Sequence, residues 1–217
     1  DSINIGSLAG YNGSGNNNIH IGEFAGQSRD AAEGICIGMN AGFGASTASM
    51  IAIGKDSSKS VIGTAAHVAI GYLAAKSTSG VSQSVVIGQS AFSSTHDAGY
   101  SVAIGPQAAQ SCVGIASSVA IGRSALYGAN DGAAESVAIG AYAGFAPTDS
   151  LSSNVMIGYN ARRQSEGSVG VAIGYLAGYQ SQATYSIMIG RECGRASSGN
   201  SNILLGYRAG YNLDGAS

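Results

Sequence analysis

The dipeptide Ile-Gly recurs at thirteen regularly spaced positions along the chain, the last of which has Leu205 in place of the isoleucine. Successive copies are 16, 17 or 18 residues apart. A short motif that returns at such a period is typical of a solenoid, in which each repeat contacts only its neighbours. The glycines of the thirteen copies are Gly6, Gly22, Gly38, Gly54, Gly71, Gly88, Gly105, Gly122, Gly140, Gly158, Gly174, Gly190 and Gly206.

Each copy ends a short apolar segment with a period of two. Two residues before the isoleucine every copy has Ile or Val, as at Val102, Val119 and Val137. Aliphatic β-branched residues at alternate positions indicate a β-strand. Glycine is entropically costly, so its return after every strand predicts a corner that needs either a positive φ or close passage of another backbone.

The residue four positions after the isoleucine is small throughout. It is Ala in eleven copies, and Ser57 and Cys193 are the exceptions. A small residue at the same place in each repeat predicts a narrow coil.

With 45% hydrophobic residues the chain is too apolar for a disordered linker, although it contains 34 glycines. We therefore predict an all-β, parallel β-solenoid of about 13 coils with 16–18 residues each, forming one repeat domain over residues 1–217.

The residue between the two β-branched positions is expected to point the opposite way, out of the coil. This column is mostly apolar, although it begins with Asn4 and His20 and includes Cys36. A continuous apolar stripe on a rod predicts lateral self-association as a homo-oligomer. The residues that we assign to this predicted interface are His20, Ala52, Ala69, Val86, Ala103, Ala120, Ala138, Met156, Ala172, Met188 and Leu204.

Aromatic and arginine side chains recur at two positions, directly after the corner glycine and five residues beyond it. We expect neighbouring repeats to stack them into outer ladders with cation–π contacts, which would stiffen the rod. Tyrosine is amphipathic, so the same ladders are candidates for binding a host glycan or a matrix protein. The longest returns, around 127–135 and 145–153, are candidate recognition loops. The tyrosines proposed for surface binding are Tyr127, Tyr159, Tyr175, Tyr179, Tyr207 and Tyr211.

Other classes of function find little support in the sequence. The net charge of −2 gives no basic footprint for nucleic acid, and no apolar run is long enough to cross a membrane. The three histidines and three cysteines are scattered, without metal-ligand spacing or a Ser–His–Asp arrangement. We therefore expect no enzyme activity, no metal and no cofactor, and we expect no contact of this segment with nucleic acid or membrane.

The unit Ser-Val-Ala-Ile-Gly-x-x-Ala, present at 101–108, 118–125 and 136–143, resembles the head repeat of YadA-like trimeric autotransporter adhesins. The resemblance extends over all of 1–217. It implies a left-handed parallel β-roll that forms a homotrimer, and an extracellular adhesin head that binds a host surface or matrix.

Units as long as 18 residues also occur in phage tail fibres. A tail-fibre shaft or receptor-binding segment is therefore one alternative, and a purely structural extracellular filament unit is another. In each case we expect the chain to be a fragment of a longer fibrous protein located at a cell surface or on a virion.

Overall fold

A computed structural model describes residues 1–63, 66–129, 133–145, 152–165 and 170–214. Over these ranges the chain contains thirteen strands and no helix, and the predicted all-β solenoid is confirmed. The strands are β1 Ile3–Ile5, β2 Ile19–Ile21, β3 Ile35–Ile37, β4 Ile51–Ile53, β5 His67–Ile70, β6 Ser84–Ile87, β7 Val102–Ile104, β8 Val119–Ile121, β9 Val137–Ile139, β10 Val155–Ile157, β11 Gly170–Ile173, β12 Ser186–Ile189 and β13 Ile203–Leu205.

The strands form one parallel sheet in the order of the sequence, from β1 to β13. Equivalent residues of successive repeats pair with one another, so that Ala103 lies opposite Ala120 and Ile104 lies opposite Ile121. This register is kept where the repeat length changes, because the extra residues fall in the returns between strands. We call each strand with the residues up to the next strand a rung, numbered by its strand.

The corner glycines from Gly6 to Gly190 satisfy both conditions predicted for them, and Gly206, in the last rung, satisfies the first. Their φ values lie between +120° and +141°, a region that residues with a side chain rarely adopt. A Cβ placed on Gly105 would also lie 2.7 Å from the carbonyl oxygen of Gly122 in the next rung. Each corner that has a following rung therefore needs glycine for its own conformation and for the approach of its neighbour.

Opposite the strand, each rung continues as a run of tight turns. In rung 2 the left-handed residues alternate along the chain, with φ of +57° at Phe24, +63° at Gly26 and +54° at Ser28. The Phe24 N–H donates to the Ser7 carbonyl of the previous rung at 2.9 Å, and the Gly26 N–H donates to the Ala41 carbonyl of the next at 2.8 Å. This wall is therefore hydrogen-bonded to both neighbouring rungs without being a strand.

The predicted orientation of the strand was wrong. The middle residue of each strand points into the coil, and the flanking Ile and Val residues point out. Within a single chain the middle residues of β2 to β12 are at most 4% exposed, so none of them can form an interface with another chain. Leu204, in the last rung, is half-buried. The assignment to an interface is corrected for His20, Ala52, Ala69, Val86, Ala103, Ala120, Ala138, Met156, Ala172, Met188 and Leu204.

The narrow coil gives the physical reason for this orientation. Small residues from the opposite wall, such as Ala108 and Ala125, are fully buried, and they leave little room for two columns of Ile and Val. Beside the large inward residues His20 and Met188, the opposite wall has glycine. A Cβ on Gly194 would lie 2.3 Å from the Met188 sulfur, and one on Gly26 would lie within van der Waals distance of the His20 ring.

Candidate binding surfaces

The outward residues of the strands form the first candidate surface, which we call the outer strand face. It consists of the Ile or Val residues on either side of the inward residue in every strand, with Leu205 as the last. All of them are half-buried or exposed, and Ile139, Ile187 and Ile189 each expose more than a third of their surface, at 37–38%. An apolar face that runs the length of the sheet is much larger than the patches usual on a monomer.

The serine that precedes the first outward residue has a structural role that the sequence analysis missed. The Ser118 N–H donates to the Ser101 hydroxyl at 3.1 Å, and the Ser101 hydroxyl donates to the Ile115 carbonyl at 2.7 Å. Ser136 and Ser84 lie in the same column and are equally buried. The signal was present in the sequence, because Ser and the middle Ala are two residues apart and must share a face.

Two histidines lie inside the coil rather than at an interface between chains. His20 Nδ1 is 2.9 Å from the Asn4 amide oxygen, and His67 Nε2 is 2.8 Å from the Ser58 hydroxyl. Burial, with a smaller effect of Arg29, lowers the pKa of His20 and lowers the pKa of His67 to about 4. Within the described parts of the chain, no group of three His, Cys, Asp or Glu side chains comes close enough to hold a metal ion.

A charged residue is also enclosed in the first rungs. Arg29 is 1% exposed and donates to the Asn18 amide oxygen and to the carbonyls of Ala31, Ala32 and Thr47. Burial lowers the pKa of its guanidinium. Backbone carbonyls therefore take the place of a carboxylate partner, and Arg29 cross-links the return of rung 2 to rung 3.

The three cysteines are free thiols buried in the coil. Burial raises the pKa of Cys36 to about 11 and that of Cys112 to about 12, and it also raises the pKa of Cys193. These thiols are therefore protonated at neutral pH. Cys36 and Cys193 are small buried residues, as the sequence predicted, although Cys36 lies within the coil and not between chains.

The second candidate surface consists of two outer ladders. The first outer ladder is the column of residues directly after the corner glycines, and the second outer ladder is the column five residues after them. In the first, Tyr159 and Tyr175 stack with centroids 5.4 Å apart. In the second, Tyr127 and Phe145 stack at 5.1 Å. The predicted stacking between neighbouring rungs is therefore confirmed.

Tyr142 connects the two ladders. Its ring makes edge contacts with Phe145 at 5.6 Å and with Tyr159 at 6.2 Å. Arg123 and Arg163 lie against the same ring, with guanidinium carbons 4.8 and 5.2 Å from its centroid. The contacts make one continuous aromatic and arginine surface out of two columns.

The last two rungs repeat this arrangement. Arg195 lies between the rings of Tyr179 and Tyr211, at 5.4 and 5.6 Å. Arg208 lies against Tyr207 at 5.1 Å and Tyr211 at 5.4 Å. Of the six tyrosines proposed for surface binding, four are exposed and two are half-buried; the exposed ones are Tyr159, Tyr175, Tyr207 and Tyr211.

The carboxylate of Glu192 lies against two arginines of the last two rungs. Its side chain is 7% exposed and lies 2.8 Å from Arg208 and 3.5 Å from Arg191. The hydrogen bond from Arg208 lowers the pKa of Glu192. The two arginines that share this carboxylate remain largely in solvent, with 65% of the Arg191 side chain and 54% of the Arg208 side chain exposed.

The returns predicted as recognition loops lie partly outside the described residues, which leave out 130–132 and 146–151. Among the residues that are described, no helix is long and apolar enough to span a bilayer. Comparison of the sequence with protein-family models gives no match, and comparison with curated proteins gives no significant similarity.

Proposed function

We propose that this chain is a segment of a homotrimeric, non-enzymatic attachment protein carried on a cell surface or a virion. The observation that supports the proposal is the outer strand face, two uninterrupted columns of outward Ile and Val along the thirteen strands, with Leu205 as the last residue. Covering it in a symmetric assembly would remove a large apolar area from water. Each Å² of apolar surface buried in this way stabilises the assembly by roughly 25 cal/mol. The resemblance to trimeric adhesin heads favours three chains and a left-handed roll.

The outer ladders would then form the surface with which the trimer binds its ligand. They project from the corner and from the turn-rich wall, so the outer strand faces can pack together while the tyrosines stay in solvent. An attachment protein needs such a repeated surface more than it needs a deep pocket. Binding to a host glycan or a matrix protein is the activity we assign to it.

Substitutions in the outer strand face test the assembly. We expect the unmodified chain to sediment as a trimer, and the double variant Ile104→Asp with Ile121→Asp to sediment as a folded monomer. The two aspartates would place charges in an apolar interface without partners. The matched control is Ser94→Asp with Ser111→Asp, which adds the same charge at exposed positions elsewhere.

Two measurements decide the outcome. Sedimentation velocity gives the stoichiometry, and far-ultraviolet circular dichroism shows whether the β-structure is kept. A stable monomer of the unmodified chain would contradict the assembly. A trimer that binds neither host cells nor immobilised matrix proteins would contradict attachment and would favour a structural filament unit.

A further inference from the structure

Five arginines are concentrated on the outer ladders and the connections between them in rungs 8 to 13. They are Arg123, Arg163, Arg191, Arg195 and Arg208, and we call them the arginine patch. Each one lies against at least one tyrosine ring. Among the residues that the structure describes, Glu192 is the only carboxylate within salt-bridge distance of any of the five. The patch therefore has a net positive charge, although the chain as a whole is at −2.

Arg123, Arg191 and Arg208 are exposed, and Arg163 and Arg195 are half-buried. Arg123 and Arg195 contact rings, and Arg163 adds a 3.4 Å hydrogen bond to the Asn160 amide. A guanidinium stacked on a ring keeps N–H donors at its edge, and these match the geometry of an oxyanion. The stacking also holds each side chain in place, which lowers the entropy lost on binding.

Stiffening of the rod does not account for the arginines of the second outer ladder. The same position of the second outer ladder holds Gln27, Ser93 and Gln110 in rungs 2, 6 and 7. Those rungs keep the same register and the same hydrogen bonds between neighbouring turns as the later ones. The coil can therefore be built without arginine at this position, and Arg163 and Arg195, which occupy it in rungs 10 and 12, need another explanation.

The spacing of the patch indicates a linear ligand. Arg163 and Arg195 lie in the second outer ladder in rungs 10 and 12, and Arg123 of the first outer ladder lies in rung 8, against the same Tyr142 ring as Arg163. Alternate rungs are roughly 10 Å apart along the rod axis. This distance is comparable with one disaccharide of an extended polysaccharide. A polymer that lies along the rod with one acidic group in each disaccharide would meet one guanidinium after another.

We propose that the arginine patch binds an acidic polysaccharide, whose charge comes from sulfate or carboxylate groups. This inference rests on the proposed attachment function and specifies its ligand class. A single-stranded nucleic acid fits less well, because bases need free aromatic faces on which to stack. Here the ring faces are occupied, as in the Tyr159–Tyr175 and Tyr127–Phe145 pairs and where arginine covers Tyr142.

The test measures binding of the trimer to heparin, polysialic acid, neutral dextran and single-stranded DNA. The triple variant Arg123→Gln, Arg163→Gln, Arg195→Gln should bind heparin or polysialic acid at least tenfold more weakly than the unmodified chain. The matched control is Lys55→Gln, Lys59→Gln, Lys76→Gln, which removes the same charge from rungs 4 and 5. It should bind within twofold of the unmodified chain. Binding should also weaken as salt is added.

The four probes separate the outcomes. Binding of heparin but not of polysialic acid would identify sulfate as the recognised group. Binding of polysialic acid would show that a carboxylate is sufficient. Equal loss in the two triple variants would overturn the assignment to the patch. Tighter binding of DNA than of either polysaccharide would assign the patch to nucleic acid instead, and binding of none of the probes would overturn the inference.

Failure of this inference is distinguishable from failure of the proposed function. Host cells stripped of sulfated and sialylated glycans by enzymes should no longer bind the rod. If the trimer adheres to stripped and untreated cells equally well, attachment stands and the acidic ligand is wrong. If the unmodified chain is a monomer in sedimentation, the proposed assembly fails whatever the probes show.

Discussion

His67 occupies a position that serine holds in rungs 6 to 9. The imidazole is 2% exposed and has one hydrogen-bond partner, the Ser58 hydroxyl. Burial disfavours the imidazolium, and the charge of Arg29 acts in the same direction. The folded chain therefore holds His67 neutral at a pH where the unfolded chain already binds a proton.

We predict that rung 5 loses stability on acidification because of His67. The pKa is about 4 in the folded chain and 6.5 in the unfolded chain. The contribution is full above pH 6.5, falls as the pH decreases towards 4, and amounts to about 3 kcal/mol in the free energy of unfolding. Urea unfolding at a series of pH values measures it.

The variant His67→Ser should remove most of this pH dependence, because serine is the usual residue of that column. The exposed His96 provides the control, and His96→Ser should leave the pH dependence as it is. A His67→Ser variant that loses stability between pH 6.5 and 4 as steeply as the unmodified chain would refute the assignment.

Individual residues also show which features can be predicted from the sequence and which cannot. The corner glycines were predictable, because only a conformational or steric demand explains a glycine that returns in every repeat. The left-handed conformation of residues such as Phe24, Leu126 and Arg162 was not predictable. Their own propensities oppose it, and it is imposed by hydrogen bonds to the neighbouring rungs that a single repeat does not contain.

At the scale of the strand, alternation identified two faces but did not decide which face was inside. The assignment of the β-branched face to the interior followed the usual rule for strands that cover a core. The residues that contradicted it were the small ones of the facing wall, such as Ala108 and Ala125, because a narrow coil accommodates Ser101 and Ala103 and not two columns of Ile and Val. The outer ladders were predictable because a constant period fixes which side chains become neighbours.

We predict that the rod loses stability when a side chain is added at the corner between a strand and the turns that follow it. Gly105→Ala should destabilise the rod by about 3 kcal/mol or more, since the added methyl meets the Gly122 carbonyl and the residue stays at positive φ. The midpoint of urea unfolding, followed by circular dichroism, measures the loss.

Gly99→Ala is the matched control for the corner. Gly99 lies in a return, where the nearest atom to an added Cβ is 3.5 Å away and φ is outside the left-handed region. Its unfolding midpoint should remain close to that of the unmodified chain. Equal midpoints for the two variants would show that the corner tolerates a side chain.

For the whole molecule, the constant register predicts that complete repeats can be removed. Val68 and Val119 occupy equivalent positions three rungs apart, so deletion of 68–118 brings Val119 into the place of Val68. The rod, about 60 Å long with thirteen rungs, should shorten by roughly 14 Å and keep its β-structure. Small-angle X-ray scattering measures the maximum dimension.

A deletion of 68–110 provides the contrasting case, because it is not a whole number of repeats. It would join His67, the first residue of β5, to the middle of a return and leave the next strand out of register. We expect this variant to lose β-structure at the junction or to aggregate. A shorter rod from both deletions would mean that register is set by something other than the repeat.

Every strand of the sheet is paired only with the strands that precede and follow it in the chain. The hydrogen bonds of a rung therefore involve only the rungs adjacent to it in the sequence, and the loops to be closed are short. A polypeptide that emerges end first from a ribosome or a secretion pore can therefore add finished rungs to those already outside. The energy released at each addition would draw the chain outward and oppose its return, which makes the solenoid suited to delivery through a narrow passage.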